Sequence, residues 1–360
     1  MTIIRRYLLK AYLSSFSGAI FLFLCIGWLS QILDKLSAFA KPGVKLPLVL
    51  YYLALRTPQW LIQIMPVSVL LASLFSLGKL SSNQEITALR ASGVSWGKIF
   101  SSFIGFAFLL SLSALLVNEK VVPWSNAKAT YVYRAKINKE FVASNLQAAN
   151  LVVPGKNNSQ LMINFLDAQE GIIRGLVINW YTPDYRLIRT IYAQESRWEN
   201  KRWVLLNGVE RLFDESGIKE KKFDRQETEI TESPGDFLLI TKKSEEMDFF
   251  QLKDYIKKLK VLGQPSAKEE VQLYLKLSFP FINLIVIFLG FPFGILQRRS
   301  GSKAVSFGIS ILISFIYWGM ISVGQALGEN RILPPLLAAW FGNLIFGLIG
   351  LAFLWKIKSK

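Results

Sequence analysis

Six apolar stretches divide the chain into two groups of three, and each is long enough to cross a bilayer as a helix. They run approximately from Ala11 to Leu33, Leu48 to Leu77, Ile99 to Val117, Val271 to Leu296, Ala304 to Leu327 and Leu333 to Trp355. The second contains Pro58 and Pro66, and a proline within Gly290-Phe-Pro-Phe-Gly294 is expected to weaken the fourth near the membrane face. The pattern predicts a polytopic α-helical membrane protein with six transmembrane helices and both termini on one side.

The first stretch follows Arg5, Arg6 and Lys10, an arrangement that a secretory signal peptide also shows. Its length of about 23 residues exceeds the apolar region of a signal peptide, and no small-residue cleavage site follows it. We therefore expect an uncleaved first transmembrane helix.

The region between the third and fourth stretches, residues 118–265, alternates apolar and polar positions as half-buried strands do. Examples are Gly175–Tyr181 and the pair Ala193–Trp198 and Arg202–Phe213. No helical run is evident before about Phe249, where an amphipathic helix is predicted to lead back to the bilayer. The sequence thus predicts residues 1–117 and 266–360 as two membrane segments, and residues 118–265 as an inserted all-β, sandwich or jelly-roll-like domain with short strands.

The formal charge of +17 is not spread evenly along the chain. Residues 119–260 carry 23 Lys and Arg against 20 Asp and Glu, whereas the rest carries 19 against 5. The short segments on the side of the termini hold twelve Lys and Arg and one acid, Glu85. The positive-inside rule makes that side cytoplasmic and places the β domain outside the cytoplasm, and nucleic acid is not expected as a partner.

Candidate chemistry within the chain is sparse. There is one cysteine and no histidine, which excludes an intrachain disulfide and removes the commonest general base and metal ligand. The segment Gly93-Val-Ser-Trp-Gly97-Lys98-Ile99 lacks the spacing and the hydroxyl of a phosphate loop, so the energy for any active transport must come from a partner. Two alternatives stay open, a membrane-bound enzyme acting on lipid or cell-wall precursors and a structural or signalling anchor.

The loop between the second and third stretches contains a predicted short helix at about residues 81–95. Ser82 or Asn83 is expected to cap it, Glu85 suits the positive end of the helix dipole, and Gly93 suits its end. Ile86, Ala88 and Leu89 follow helical spacing and favour docking in a groove of a partner protein. The alternative is a helix that lies on the lipid surface.

Cations near the opposite ends of the spans are candidates for binding lipid phosphates, because Lys and Arg pair well with phosphate oxygens. The candidates are Lys35, Lys41, Lys45, Arg56 and Lys276. The alternative for the first three is that they reach lipid headgroups as ordinary interfacial lysines.

The segment Glu85-Ile-Thr-Ala-Leu-Arg-Ala-Ser-Gly93 resembles the coupling helix of the lipopolysaccharide-export permeases LptF and LptG. The Pro66-bearing second span that leads into Gly78, the Lys276…Pro280…Gly290-Phe-Pro-Phe-Gly294 run and the three-plus-three arrangement of spans extend the resemblance over essentially the whole chain. LptG members carry a close lysine pair after the first span, whereas Asp34-Lys35 of this chain is followed only by the isolated Lys41. The sequence does not separate the LptF-like from the LptG-like member.

The resemblance implies a permease subunit of an ATP-driven ABC transporter that draws lipopolysaccharide from the inner membrane onto a bridge of jelly-roll domains. It implies an LptB-like ATPase dimer, which would use the ATP, a second LptF- or LptG-like permease and LptC- and LptA-like bridge proteins, with no catalytic residue, metal or cofactor of its own. Glu85 and Arg90 would be polar contacts to the ATPase, and the packed face would be Ile86, Ala88, Leu89, Ala91 and Gly93. Lys35, Lys41, Arg56 and Lys276 would be the phosphate-binding cations. A permease that exports another lipid or a lipoprotein is the alternative within the same class.

Overall fold

A computed structural model describes residues 2–138, 147–155, 157–214, 217–228, 230–241, 243–261, 264–296 and 303–358. The chain forms two compact units. One comprises Met1–Ala129 with Ala267–Lys360 and is helical, and the other comprises Thr130–Ser266 and contains the β-sheet.

The helices are numbered α1 to α12 in chain order. They are α1 (Thr2–Asp34), α2 (Leu36–Phe39), α3 (Leu46–Ser82), α4 (Glu85–Ala91), α5 (Trp96–Leu116), α6 (Val122–Tyr131), α7 (Pro234–Thr241), α8 (Phe249–Val261), α9 (Ala267–Ser278), α10 (Ile282–Leu296), α11 (Lys303–Glu329) and α12 (Pro335–Lys358). Segments of π-helix at Val117–Val121 and Val132–Ile137 flank α6, and 3₁₀ turns occur at Ser244–Glu246 and Phe279–Phe281.

Six helical segments in the described residues are long and apolar enough to span a membrane, which confirms the predicted number of spans. The second span, α3, has 37 residues and continues through Pro58 and Pro66. The helix of the fourth span continues through Pro292 to Leu296, the predicted end of that span.

The third span differs most from its prediction, because its helix does not end at Val117. It continues through the first π-helical segment and α6 to Ile137. Together with α7, this extension corrects the expectation that no helix precedes Phe249. The extension was missed because apolar character falls after Val117, whereas the backbone hydrogen bonding of the helix does not stop there.

The core of the bundle lies around α3, in whose most apolar stretch 72% of the residues are buried. Two glycines of α10 allow the fourth span to approach α3 closely. A Cβ atom placed on Gly290 would lie 2.7 Å from the Ser73 Cβ, and one on Gly294 would lie 2.7 Å from the Leu77 Cβ. Small residues four apart let helix backbones pack closely in a membrane, so the Gly290-Phe-Pro-Phe-Gly294 segment is a packing surface.

The inserted domain contains one six-stranded antiparallel sheet in the described residues. Its strands, in the sheet order β1-β2-β3-β4-β5-β6, are β1 (Gln147–Pro154), β2 (Ser159–Asp167), β3 (Ile172–Tyr181), β4 (Leu187–Glu199), β5 (Arg202–Asp214) and β6 (Gly217–Glu227). Every neighbour in the sheet is a neighbour in sequence, and the strands are 8 to 13 residues long, which is longer than the short strands expected. The predicted fold class, six transmembrane helices with a β domain inserted between the third and fourth, is confirmed, and α7 and α8 belong to the same inserted unit.

Alternate residues of β2, β3 and β4 point to one face of the sheet and form its core. Leu161, Ile163, Ile178 and Ile191 are buried there. Phe237 of α7 packs against this core with its ring centroid 5.9 Å from that of Trp203. The domain therefore has its own apolar core, as its lack of cysteine required.

Candidate functional site

The short helix α4 begins differently from its prediction. Its N-cap is Gln84 in the left-handed region at φ 58°, with no side-chain hydrogen bond to the free N–H groups. Ser82 instead ends α3, and the Asn83 side chain donates to the Glu85 Oε1 at 3.1 Å. The expected cap by Ser82 or Asn83 is therefore wrong, because α3 extends far enough to leave only a two-residue turn before α4.

The end of α4 follows the predicted glycine. Gly93 has φ 83°, a conformation that favours glycine, and its N–H donates to the Arg90 carbonyl at 3.0 Å. The Val94 N–H returns to the Leu89 carbonyl at 3.0 Å. These two bonds form a Schellman motif, which satisfies carbonyls that the helix would otherwise leave open and fixes the direction of the chain into α5.

The two faces of α4 have different neighbours. Ile86 is 3% exposed and belongs to the core of the helical unit, and Leu89 packs against the same core. Thr87, Ala88 and Ala91 are exposed on the other side. Ile86, one of the residues predicted to meet a partner, thus anchors α4 to its own chain, and Thr87, Ala88 and Ala91 make its exposed face one of small residues.

Both charged residues of α4 have contacts within the chain. The Tyr7 hydroxyl of α1 donates to the Glu85 Oε2 at 2.7 Å. The Arg90 guanidinium lies 5.0 Å from the centre of the Trp96 ring and donates to the Val94 carbonyl at 3.2 Å. Glu85 is partly exposed and Arg90 is exposed, so both stay accessible from outside while their side chains are oriented.

The predicted phosphate-binding cations occupy the opposite end of the bundle. The Lys35 Nζ lies 5.6 Å from the centre of the Tyr52 ring of α3, and Arg56 follows one turn later on the same helix. The Arg56 Nη1 donates to the Asn126 side-chain oxygen at 3.1 Å, and its Nε is buried without a hydrogen-bond partner. Lys35 and Arg56 are therefore brought to one face of α3.

Lys41 and Lys276 are placed separately. Lys41 lies in the turn between α2 and α3 and is exposed. Lys276 lies on α9, next to the 3₁₀ turn of the fourth span, and its carbonyl accepts from the Asn118 side chain at 3.2 Å.

Two residues near this cation group were missed from the sequence, Asn126 and Lys128, because both lie on the unpredicted extension of the third span. The Lys128 Nζ lies 5.1 Å from the centre of the Trp124 ring and 6.0 Å from that of Tyr51. Tyr51 and Trp124 are 40% and 60% exposed, so this cation is presented between two exposed aromatic rings. If the helix had been continued past Val117 in the sequence, with Trp124 taken as an interfacial residue, the extension that carries Asn126 and Lys128 would have been predicted.

An apolar hollow of about 420 Å³ lies among three spans of the bundle. Its lining combines small residues of α1 with larger ones of α3 and α11, including Ser14, Gly18, Leu71, Phe75 and Phe307. The helices on either side, α1 and α11, are the least buried spans. Only 17% and 22% of the residues in their most apolar stretches are buried. Their outer faces are therefore available to lipid or to another membrane helix.

The β domain contains a second cavity, of about 400 Å³, which is within the range of ligand pockets. Leu161, Ile178 and Phe237 supply apolar lining. Arg189 also lines it, with its guanidinium 4.7 Å from the centre of the Trp180 ring and its Nε 2.7 Å from the Glu210 Oε1. The cavity thus combines an apolar wall with an oriented cation.

Comparison with known proteins decides the family. The sequence profile of the family described as "Lipopolysaccharide export system permease LptF/LptG" matches residues 6–356 of this chain. This chain belongs to the LptF/LptG permease family.

Individual members of the family are distant in sequence. The lipopolysaccharide export system permease protein LptG of Escherichia coli K12 is 21% identical over 368 residues, which cover 99% of this chain and 98% of that protein. LptF of the same strain is 31% identical over 124 residues, 34% of each chain, and LptF of Shigella flexneri matches to the same extent. Membership of the LptF/LptG family and the six apolar helices make this chain a multi-pass inner-membrane permease subunit.

Proposed function

We propose that this chain is one permease of an ATP-driven exporter that extracts lipopolysaccharide from the inner membrane and passes it to a periplasmic protein bridge. The observation that carries the proposal is that one face of α4 packs on the bundle and the other is exposed. It is anchored to the bundle by Ile86 and Leu89, and it leaves Thr87, Ala88 and Ala91 exposed. A short helix held rigidly on one side and free on the other suits transmission of a movement from a bound protein into the bundle.

The bound protein is an LptB-like ATPase dimer. Small residues on the exposed face of α4 permit close approach of a groove, and Glu85 and Arg90 provide one acidic and one basic contact at its two ends. Tyr7 orients the Glu85 carboxylate and Trp96 covers the Arg90 guanidinium, so both groups are held in place before a partner binds. Preorganised contacts lose less conformational entropy on binding.

The membrane orientation follows from charge. The side with the termini and α4 is cytoplasmic, since the short segments there hold twelve Lys and Arg and one acid. The β domain is then periplasmic, where LptC- and LptA-like bridge proteins would receive the lipid.

Lipid recognition is divided between phosphates and acyl chains. Lys35 and Arg56 lie at one face of α3, and Lys128 of α6 follows two residues after Asn126, the partner of Arg56. These cations meet the lipid A phosphates, and Lys41 and Lys276 contribute from neighbouring segments. The buried Arg56 Nε without a partner supports this role, because a buried donor is costly until it finds an acceptor. Acyl chains enter the apolar hollow beside α1 and α11, and the apolar wall of the β-domain cavity is the corresponding contact outside the bilayer.

A second LptF- or LptG-like permease completes the membrane cavity. The supporting observation is the exposure of α1 and α11 on either side of the hollow. A wall made by a second copy or a paralogue would turn this open hollow into an enclosed, lipid-sized cavity.

The test is affinity purification of the chain from its native membrane in mild detergent, with mass spectrometry of bound proteins and bound lipid. We expect an ATPase, a second permease and lipopolysaccharide. The Ala88→Arg variant should lose the ATPase, whereas Ile218→Arg, at a position 65% exposed on β6, introduces the same charge and should retain it.

Two results would contradict parts of the proposal. Retention of the ATPase by Ala88→Arg would remove α4 as the docking site. Recovery of the ATPase together with a different lipid would keep the transport mechanism and replace the substrate.

A further inference from the structure

The fourth span is not a single helix. It consists of α9, a 3₁₀ turn at Phe279–Phe281, and α10. Pro280 has no N–H, so it cannot return the usual helical hydrogen bond to the carbonyl of Lys276. A carbonyl without a partner inside a membrane is strongly disfavoured, and neighbouring groups must satisfy it.

Three asparagine side chains donate to alternate carbonyls across this break. Asn118 donates to the Lys276 carbonyl at 3.2 Å, Asn343 donates to the Ser278 carbonyl at 2.8 Å, and Asn283 donates to the Pro280 carbonyl at 3.0 Å. The donors lie on different spans, since Asn118 is in the third, Asn343 in the sixth and Asn283 in the fourth itself. The break is therefore tied sideways to two other spans.

The contact to the sixth span is the more buried and more extensively hydrogen-bonded of the two lateral ones. Asn343 and Ser278 are 4% and 1% exposed. The Tyr317 hydroxyl of α11 donates to the Asn343 side-chain oxygen, and the Ser278 Oγ donates to the Ala339 carbonyl at 2.8 Å. These bonds orient the Asn343 amide and hold Ser278 from both sides, as expected of a fixed point.

The contact to the third span has the opposite character. Asn118 is only partly buried, and it lies in the π-helical segment Val117–Val121, where the regular hydrogen-bond ladder of the third span changes. Single-turn π-helical segments within α-helices are frequent at functional sites. Its hydrogen bond to Lys276, at 3.2 Å, is longer than the bond from Asn343 to Ser278.

We infer that the fourth span is a jointed helix, in which Asn343 and Ser278 form the pivot and the Asn118 amide is a releasable contact to the Lys276 carbonyl. When Asn118 releases, α9 bends relative to α10 and carries Lys276 with it. Asn118 is thus a positioning residue for Lys276. The bending is a property of the fold, and its use in moving a lipid phosphate rests on the proposed function.

The joint is tested by distance measurements in the full-length protein. Cys25 is replaced by Ala, and spin labels are placed at Lys268→Cys on α9 and Leu344→Cys on α12, both exposed positions. Pulsed electron paramagnetic resonance then gives the distribution of distances in nanodiscs with and without nucleotide and the co-purified ATPase. We expect Asn118→Ala to broaden or shift the distribution even in the chain alone.

Two further variants make the test specific. Pro280→Ala restores an N–H for the Lys276 carbonyl, so it should narrow the distribution and make a second change, Asn118→Ala, much less effective. Asn330→Ala removes another amide, which donates to the Ala326 carbonyl at 2.8 Å near the end of α11, and should leave the distribution unchanged.

Transport provides the second measurement. In reconstituted vesicles, Pro280→Ala should slow lipid release several-fold while ATP hydrolysis continues. A continuous fourth helix would no longer bend between α9 and α10, so hydrolysis would no longer move Lys276. An unchanged distance distribution in both Asn118→Ala and Pro280→Ala would overturn the joint. A changed distribution with unaltered lipid release would retain the joint and refute its role in the proposed function.

Discussion

Tyr7 of α1 donates a 2.7 Å hydrogen bond to Glu85 of α4, joining the start of the first span to the short helix that precedes the third. This bond and the burial of Ile86 connect α4 to the bundle in two different ways. A force applied to α4 would therefore reach both the core around α3 and the poorly buried first span.

The first prediction concerns this hydrogen bond. Tyr7→Phe removes the hydroxyl and keeps the ring, so the protein should fold and retain the proposed partner ATPase. If that proposal holds, lipid release per ATP hydrolysed should fall several-fold. Parallel assays of ATP hydrolysis and lipid release in proteoliposomes measure the ratio. Tyr185→Phe, at a side chain 83% exposed in the β domain, is the control and should leave the ratio unchanged. An unaltered ratio in Tyr7→Phe would mean that the bond has no part in coupling.

The second prediction separates the two faces of α4. Ile86→Ala creates a cavity in the core and should cost about 2 to 5 kcal/mol of stability, as other buried Ile-to-Ala changes do. Thermal unfolding in detergent measures this loss, and the folded fraction should still bind the ATPase. Ala88→Arg should show the reverse pattern, with normal stability and lost binding. Equal effects of the two changes on stability would show that α4 has no free face.

The third prediction concerns the close contact between the second and fourth spans. Gly290→Ala places a methyl group 2.7 Å from the Ser73 Cβ and should destabilise the bundle by about 1 to 3 kcal/mol through overpacking. Gly347→Ala is the matched change at a site with open space, and it should be neutral or slightly stabilising because alanine restricts the unfolded chain. Thermal unfolding of both variants measures the difference. A stable Gly290→Ala protein would show that the two helices can separate at no cost.

The fourth prediction is a pH dependence in the β domain. Burial of the Asp236 carboxyl raises its pKa, but hydrogen bonds from the Lys258 ammonium and from the Ser233 N–H lower it more, and the net pKa lies below the ordinary 3.8. A lowered pKa in the folded state means that the unfolded state binds the proton more readily. The stabilisation is therefore present above pH 3.8 and is lost as the pH falls below it.

Calorimetry of the full chain in detergent tests this expectation. Asp236→Asn should unfold at a lower temperature than the parent at neutral pH, and the difference should shrink as the pH approaches about 3. Asp184→Asn, an exposed change of the same charge, is the control and should show a much smaller difference at neutral pH. A difference for Asp236→Asn that stays constant down to pH 3 would contradict a role of the ionised carboxylate.

The C-terminal end of α4 could be predicted because it depends on residues close in sequence, whereas the N-terminal cap was predicted wrongly because it depends on where α3 ends. Gly93 ends the helix as expected, since a positive φ at that position favours glycine. The inward direction of Ile86 could not be predicted. Helical periodicity shows which residues share a face, but it does not show whether the chain itself or a partner covers that face.

The cations near the opposite end of the bundle show the same difference between local sequence features and contacts made only in the fold. Lys35, Arg56 and Lys276 stand out in the sequence because charges are expensive near a membrane interior. Asn126, which accepts from Arg56, carries no charge and lies 70 residues away, so no local pattern pairs the two. The extension of the third span that carries Asn126 was hidden because hydropathy reports contact with lipid and not the continuity of a helix.

By itself, the sequence determined the six spans, the inserted strand-rich domain and the resemblance to the LptF/LptG family, because hydropathy, alternation and the order of segments are properties of neighbouring residues. Only the tertiary structure decided that Ile86 faces the core, that the fourth span is broken at Phe279–Phe281, and that Asn118 and Asn343 satisfy carbonyls of that span. The physical reason is that Pro280 cannot supply the usual helical donor to the Lys276 carbonyl, so donors from other parts of the fold become important at this break. Which side chains supply those donors depends on how the helices pack, and residues 158 and 65 positions apart in sequence meet only in the folded chain.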